Sequence, residues 1–194
     1  MANLEFRFGA MNSGKSMALL QMAYNFEENN KQVMLIKPKI DTKGEDKIIS
    51  RIGPSKKVDI LLDKNTSLFE IKNKQLYKEL DVILIDEAQF LTEKHVEELW
   101  YITKILDTTV VCFGIKIDFL SNLFPGSKRL IELSDKLIEL TTICSCGKKA
   151  RFNARTVNNE FIFEGNQVEI DNQSSIKYVP LCGECYIKKL KKEI

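Results

Sequence analysis

The first strongly patterned stretch is "LEFRF", Leu4 to Phe8, where apolar and charged residues alternate. Period-two alternation predicts a half-buried strand, and Gly9 ends it. From Lys15 to about Glu28, Met17, Leu20, Met22, Tyr24 and Phe26 are set among polar residues at roughly helical spacing, and "QVMLIK" after them is apolar enough for a buried strand. Strand, glycine turn, helix, strand is a βαβ unit. Further along, "DVILIDE" and "TTVVCFG" are apolar runs of strand length, separated by an amphipathic helical stretch from Thr92 to about Leu106. This alternation predicts an α/β fold: a mostly parallel sheet with helices on both faces. Between the two halves lies "DTKGEDKIISRIGPSKK", Asp41 to Lys57, charged and poor in periodicity. It reads as a mobile surface loop, with a lid role open to it because of its place beside the glycine turn.

Near Thr141 the texture changes to short alternating stretches, "ARFNARTV" and "EFIFEG", with no long helical pattern before the lysine-rich "KKLKKEI". A boundary there divides the chain into residues 1 to 141 and 142 to 194. The tail is expected to be a solvated helix, and no internal repeat is visible.

Composition narrows the classes. The chain has 194 residues, enough for a sizeable core, and a net charge of +2 from 29 basic and 27 acidic side chains. A field so close to neutral argues against nucleic acid or an anionic membrane as partner. No apolar run approaches the roughly 18 residues of a membrane span, and the first residues lack the pattern of an export signal, so a cytoplasmic protein is expected. Five cysteines, four of them late in the chain, then suggest metal ligands rather than disulfides.

The chemistry is carried by "FGAMNSGKS". Gly9, Ala10, Met11, Asn12, Ser13, Gly14, Lys15 and Ser16 satisfy the phosphate-loop pattern, placed between a strand and a helix as that motif requires. Backbone N–H groups of such a turn and the positive end of the helix face a phosphate chain. Lys15 would bridge the terminal phosphates of ATP, and the Ser16 hydroxyl would ligate Mg²⁺. Asp86, at the end of the apolar run "VILI", is the natural second Mg²⁺ group, and Ala88 and Gln89 follow in the same turn. Glu87 points elsewhere than Asp86, and serves either as general base toward a hydroxyl acceptor or as a water-activating group. From spacing alone, kinase and ATPase are equally supported.

Taken together, the phosphate loop with Met11, "DEAQF" at Asp86 to Phe90, the segment "GIKIDFLSNLFPGSKRLIELSDKLIELTTIC" and the late cysteines resemble the zinc-containing, cytosolic type of thymidine kinase over nearly the whole chain. The resemblance implies transfer of the γ-phosphoryl of ATP to the 5′-hydroxyl of thymidine, deoxyuridine being a conceivable second acceptor, with Mg²⁺, by a homotetramer. It implies Glu87 as general base. It implies a thymine pocket lined by Met11, Phe90, Ile115, Phe119 and Phe124, with Tyr178 in the loop that closes over the base. Taken singly, each of these aromatics reads better as core packing, and only their joint placement points to a pocket.

The chain also departs from the family pattern. Leu120 and Ser121 follow Asp118 and Phe119 where arginine and glycine are usual, Lys43 stands where an arginine near the phosphates is usual, and "DNQSSIK" replaces a glycine pair. Lysine lacks the two-pronged grip of a guanidinium. Weaker or broader pyrimidine nucleoside use is the expectation.

Cys144, Cys146, Cys182 and Cys185 form "CSC" and "CGEC". Two knuckles suit a structural Zn²⁺, although the first pair is one residue tighter than usual, and disulfide or idle thiols are the alternative. Cys112 is expected in the core. His95 is expected as a solvated helix residue. Two rival readings are an ATPase whose zinc ribbon binds nucleic acid, and a catalytically idle nucleotide-binding protein.

Overall fold

The structure, a computed structural model, describes residues 1–41, 44–165, 167 and 176–190. In chain order the strands are β1 (Leu4–Phe8), β2 (Val33–Pro38), β3 (Lys47–Ile49), β4 (Ser55–Lys57), β5 (Ile60–Leu62), β6 (Val82–Ile85), β7 (Thr109–Gly114), β8 (Lys136–Glu139), β9 (Thr142–Ile143), β10 (Lys149–Ala150), β11 (Phe152–Val157), β12 (Glu160–Ile162) and β13 (Ile176–Leu181). The helices are α1 (Lys15–Glu28), α2 (Leu68–Ile71), α3 (Lys74–Lys78), α4 (Glu93–Ile105), α5 (Pro125–Leu133) and α6 (Gly183–Leu190), with a 3₁₀ turn at Ala88–Phe90.

The main sheet has six strands in the order β5-β2-β6-β7-β1-β8, all parallel. Alternate residues of each strand serve opposite faces. Ile83, Ile85, Val110 and Cys112 pack with Val96, Leu99 and Ile102 of α4 and Leu130 of α5. Val82, Leu84, Val111 and Phe113 pack with Leu19, Leu20 and Ala23 of α1. Because both faces are covered, these strands read as continuous apolar runs in the sequence. The edge strands β5 and β8 are short and were not apparent in the pattern. Cys112 lies fully buried in β7 as expected, and burial pushes its thiol well above the ordinary range.

Pairing fixes where the chemistry emerges. Phe8 lies beside Gly114, and Ile85 beside Cys112, so the segments after β1, β6 and β7 leave the same edge of the sheet. Ligands of open α/β sheets bind outside that carboxyl edge.

Two expectations are corrected. The described part of residues 41 to 57 is more than a loose surface loop: β3 and β4 form an antiparallel ribbon whose Ile48, 1% exposed, packs into the α1 face. Lys37 anchors it from below, pairing with Asp41 at 2.9 Å and donating to the carbonyls of Glu45 at 3.2 Å and Lys47 at 3.4 Å. His95 is not solvated. It is 2% exposed, its backbone N–H donates to Thr92 Oγ1 at 3.2 Å, its Nδ1 accepts from the Thr92 N–H at 3.4 Å, and its Nε2 faces the Thr66 carbonyl at 3.0 Å. The ring completes the N-terminal cap of α4 through Nδ1, while its Nε2 is met by the Thr66 carbonyl from a separate turn.

Beyond residue 141 a third, separate core gathers Cys144, Ala150, Ala154, Leu181, Cys182 and Tyr186, with Phe152 and Phe163 packed on the Tyr186 ring at 4.8 and 5.4 Å between centroids. It is built on the antiparallel sheet β12-β11-β13 and the pair β10-β9. The C-terminal helix starts earlier than the lysine run alone suggests, at Gly183, because Tyr186 gives it a buried face; residues 191–194 of "KKLKKEI" lie outside the described residues.

Candidate active site

The phosphate loop is shaped by its own backbone. The Gly9 N–H donates to the Gly114 carbonyl at 3.3 Å, and the Ser13 N–H to that of Ala10 at 3.3 Å. Gly14 turns into α1 with φ of 77°, a left-handed conformation that disfavours any side chain. Lys15 is 9% exposed, and its ammonium donates to the carbonyls of Gly9 at 3.1 Å and Ala10 at 2.9 Å and to Ser13 Oγ at 3.3 Å. The cation is thus held at the mouth of the turn where phosphate oxygens would lie. The Ser16 hydroxyl lies close enough to the Asp86 carboxylate to favour its charged form. Burial pushes the Asp86 carboxyl up to about 7 and the neighbouring Glu87 charge adds to this, while the Ser16 hydroxyl, the Glu87 N–H and Lys15 pull it back. A buried carboxylate with a hydroxyl near it is a donor set that suits a small hard cation bridging to phosphate.

Glu87 stands at φ 49°, ψ 40°, a conformation rarely adopted outside glycine, asparagine and aspartate. Such strain persists only where the surroundings over-determine it. Here Gln89, 2% exposed, does so: its Nε2 donates to Glu87 Oε2 at 2.6 Å and its Oε1 accepts from the Ile115 N–H at 3.1 Å. The turn can sit this close to β7 because residue 114 is glycine. A Cβ there would lie 2.7 Å from Gln89 Oε1 and 3.1 Å from the Gln89 nitrogen. On its other side the Ile115 carbonyl accepts from Ser127 Oγ at 2.7 Å, so α5 completes the clamp.

One cavity of about 910 Å³ opens above these groups. Lys15, Ser16 and Glu87 share its wall with Met11, Phe90, Ile115, Phe119, Phe124 and Tyr178, so all six residues expected around a nucleoside base are brought together. Asn12, Gly14 and Gln89 also reach it; Gly9, Ala10, Ser13, Asp86 and Ala88 do not line it. Phe90 and Phe124 meet edge to face at 5.8 Å. Phe119 is 1% exposed, with the Arg155 guanidinium 3.9 Å from its ring and its carbonyl accepting from Tyr186 Oη at 2.7 Å. Asp118 Oδ1 caps the N–H groups of Leu120 at 2.9 Å and Asn122 at 2.8 Å, and its Oδ2 accepts from Gln167 at 3.0 Å. Flat apolar walls with a few fixed polar groups suit a pyrimidine.

Comparison with known proteins agrees with this arrangement. The family model described as thymidine kinase matches residues 2–186. The chain is 41% identical to a thymidine kinase of Lactococcus lactis over 97% of this chain and 98% of that one. It is 42% identical to thymidine kinases of Enterococcus faecalis, over 96% and 95% of the two chains, and of Lactiplantibacillus plantarum, over 96% and 96%. The chain belongs to the thymidine kinase family. Among solved structures it is similar to the flagellar accessory protein FlaH of Methanocaldococcus jannaschii, with TM-score 0.47 and 14% identity over 76% of this chain and 74% of that one, a likeness too slight to carry an argument.

This member of the family holds its phosphate loop against the C-terminal unit through a residue the sequence did not single out. The Met11 N–H donates to Asn153 Oδ1 at 2.8 Å, with Asn153 2% exposed on β11. Gln167, Arg155 and Arg51 were likewise missed. Only tertiary placement distinguishes them from polar residues of any alternating strand or charged loop. Lys43 and most of "DNQSSIK" lie outside the described residues.

The four cysteines converge. The Sγ atoms of Cys144, Cys146, Cys182 and Cys185 all lie within 4.8 Å of one another, Cys146 and Cys182 being 3.6 Å apart. Sulfurs around a tetrahedral zinc with bonds of about 2.3 Å stand roughly 3.8 Å apart. The tight "CSC" spacing is met by a turn in which the Gly147 N–H donates to the Cys144 carbonyl at 2.8 Å. Backbone N–H groups of Cys146 and Cys182 draw the Cys144 thiol down to about 6, whereas hydrogen bonding to the neighbouring sulfurs pushes Cys185 up to about 12. Four thiolates in that space need a cation among them, so the cluster fits a divalent metal.

Proposed function

We propose that this family member is an ATP-dependent thymidine kinase, with deoxyuridine as a second acceptor. The observation that carries the reading is the cavity in which phosphate-loop groups, the Glu87 carboxylate and three phenylalanine rings stand on the same wall. ATP lies along residues 9 to 16, Lys15 against its terminal phosphates. Ser16 and Asp86 would hold Mg²⁺, which neutralises phosphate charge when bound. Thymidine lies between Phe90, Phe119 and Phe124, under Tyr178.

The acceptor 5′-oxygen attacks the γ-phosphorus as the bond from that phosphorus to the bridging oxygen of ADP breaks, and the hydroxyl proton passes to the Glu87 carboxylate. Gln89 holds that carboxylate in place, so its role is positioning. Catalysis is then alignment and fixed charge, assisted by one base.

In the same reading the chain divides into a phosphate-loop unit, residues 1 to 141, and a lid, residues 142 to 194, stapled by Zn²⁺ on the four cysteines. Its lack of a strong charge field fits a partner set of small molecules. A homotetramer working in the cytoplasm rests on the resemblance; among the described residues no helix is long and apolar enough to cross a membrane.

The test is transfer from labelled ATP to thymidine, with deoxyuridine, deoxycytidine and no nucleoside alongside, for the wild type and Glu87→Gln. Thymidine should be phosphorylated, and Glu87→Gln should lose about 10²-fold or more in kcat while still binding ATP. No transfer to any nucleoside would overturn the reading, and near-normal turnover in the variant would assign the base elsewhere.

A further inference from the structure

We infer that Arg51 contacts the phosphate chain of the bound nucleotide and supplies the guanidinium that neutralises charge as the γ-phosphoryl group transfers. The inference rests on the kinase reading above and adds to it a residue from a different part of the chain.

Arg51 sits at the turn between β3 and β4 and lines the same cavity as Lys15, Ser16 and Glu87. Its Nη1 donates to Oδ1 of Asn12, a residue of the phosphate loop itself, so the guanidinium already lies against the phosphate cradle. Its partnering differs from that of the other arginines. Arg7 pairs with Glu5 at 2.9 Å, Arg129 with Glu97 at 2.8 Å and Glu132 at 2.9 Å, Arg151 with Glu139 at 3.7 Å, and Arg155 stacks on Phe119. Among the described residues Arg51 faces no carboxylate, only a neutral amide oxygen. The cavity carboxylates are occupied otherwise: Asp41 pairs with Lys37, Asp118 caps backbone N–H groups, and Glu87 accepts from Gln89. A guanidinium with no counter-charge, at the rim of a site that takes a polyanion, is placed for phosphate oxygens, which its fork grips two at a time.

The turn that delivers it is built rather than slack. The Ser50 N–H donates to the Pro54 carbonyl at 2.8 Å and the Gly53 N–H to that of Ser50 at 3.2 Å. Below it, Ile48 and the buried Lys37 fix the ribbon to the core. Lys15 alone is a compact charge already shared among three acceptors of the loop. A second cation opposite it would flank the transferring group from the ribbon side, where charge on the equatorial oxygens develops.

The experiment compares the wild type, Arg51→Ala and Arg51→Lys as full-length chains. It reads kcat, the KM for ATP and for thymidine, equilibrium binding of a non-hydrolysable ATP analogue with Mg²⁺, thermal midpoint, and recovery of Arg51→Ala by guanidinium ion in solution. Expected are a fall in kcat of about 10²-fold or more in Arg51→Ala, weaker analogue binding, a thymidine KM changed by less than about threefold, an unchanged thermal midpoint and partial recovery by guanidinium. Arg51→Lys should remain well below the wild type, since a lysine cannot reproduce the fork. Arg51→Ala with kcat and analogue affinity within about twofold of the wild type would overturn the inference. So would a loss that comes with a lowered thermal midpoint and no guanidinium recovery, because Arg51 would then merely prop Asn12. If the wild type itself transfers nothing to thymidine, the kinase reading falls, and analogue binding by Arg51→Ala still decides whether Arg51 meets phosphate.

Discussion

The two ends of the cavity are made in different ways. The phosphate end comes from one run of eight residues, Gly9 to Ser16, joined by Asp86 and Glu87 from the end of an adjacent stretch of sheet, and its grip is largely backbone. The end proposed for the nucleoside is gathered from residues 11, 90, 115, 119, 124 and 178, and its walls are held by side chains reaching across long distances in sequence, as from Tyr186 to Phe119 and from Asn153 to Met11. A triphosphate tail looks the same in every nucleotide, so a local turn suffices to hold it. A base has to be enclosed, and enclosure needs two bodies that meet.

This contrast can be broken first at the cysteines. Cys182→Ser, or stripping by a strong chelator, should leave less than one metal per chain and abolish thymidine phosphorylation, while binding of the Mg²⁺-bound ATP analogue stays within a few-fold of the wild type. A structural zinc contributes on the order of 10 kcal/mol or more to such a unit, far above what its small core supplies. Metal analysis beside the two binding assays checks it; full thymidine turnover by a metal-free chain would mean that the nucleoside end stands without its staple.

Gly114→Ala should act on the line between the two ends. The added methyl meets Gln89 at 2.7 Å, so Glu87 shifts while every chemical group is retained. A displacement of about 1 Å at a reacting group costs about 10²-fold. The loss should fall on kcat, with circular dichroism and ATP affinity close to normal; unchanged kcat would show that the clamp around Glu87 is slack.

The smallest effect is expected at Tyr186→Phe, which leaves the Phe119 carbonyl without its buried donor at about 1–3 kcal/mol. The thermal midpoint should drop and the KM for thymidine rise, the KM for ATP staying put. A rise in both would mean that the two ends are less separate than their construction suggests.

The same division explains what the amino-acid pattern revealed. β1, α1 and α4 were legible to within a residue because their periodicity is set by a single buried face and by local caps such as Thr92. The phosphate loop was legible because its chemistry is contiguous. β5 and β8 were hidden, since edge strands of three or four residues bury too little to leave a pattern. The ribbon at Lys47 to Lys57 was read as loop because one buried isoleucine and a lysine beneath it carry no periodic signal. His95 was misread for a similar reason: the carbonyl that receives its ring belongs to Thr66, on the far side of a separate turn. Asn153 and Arg155 illustrate the general case. Each is one polar residue in an alternating strand, and only the partner across the cavity gives it a meaning.

The bond from the Met11 N–H to Asn153 joins the loop that would cradle ATP to a strand of the unit that would cover the nucleoside. Thermodynamic linkage then constrains the two substrates. If ATP, on ordering that loop, raises the affinity for thymidine by some factor, thymidine must raise the affinity for ATP by the same factor. The hydrogen bond is thus a place where cooperativity between unlike ligands would be stored, and titrating each ligand in the presence and absence of the other would measure it from both directions.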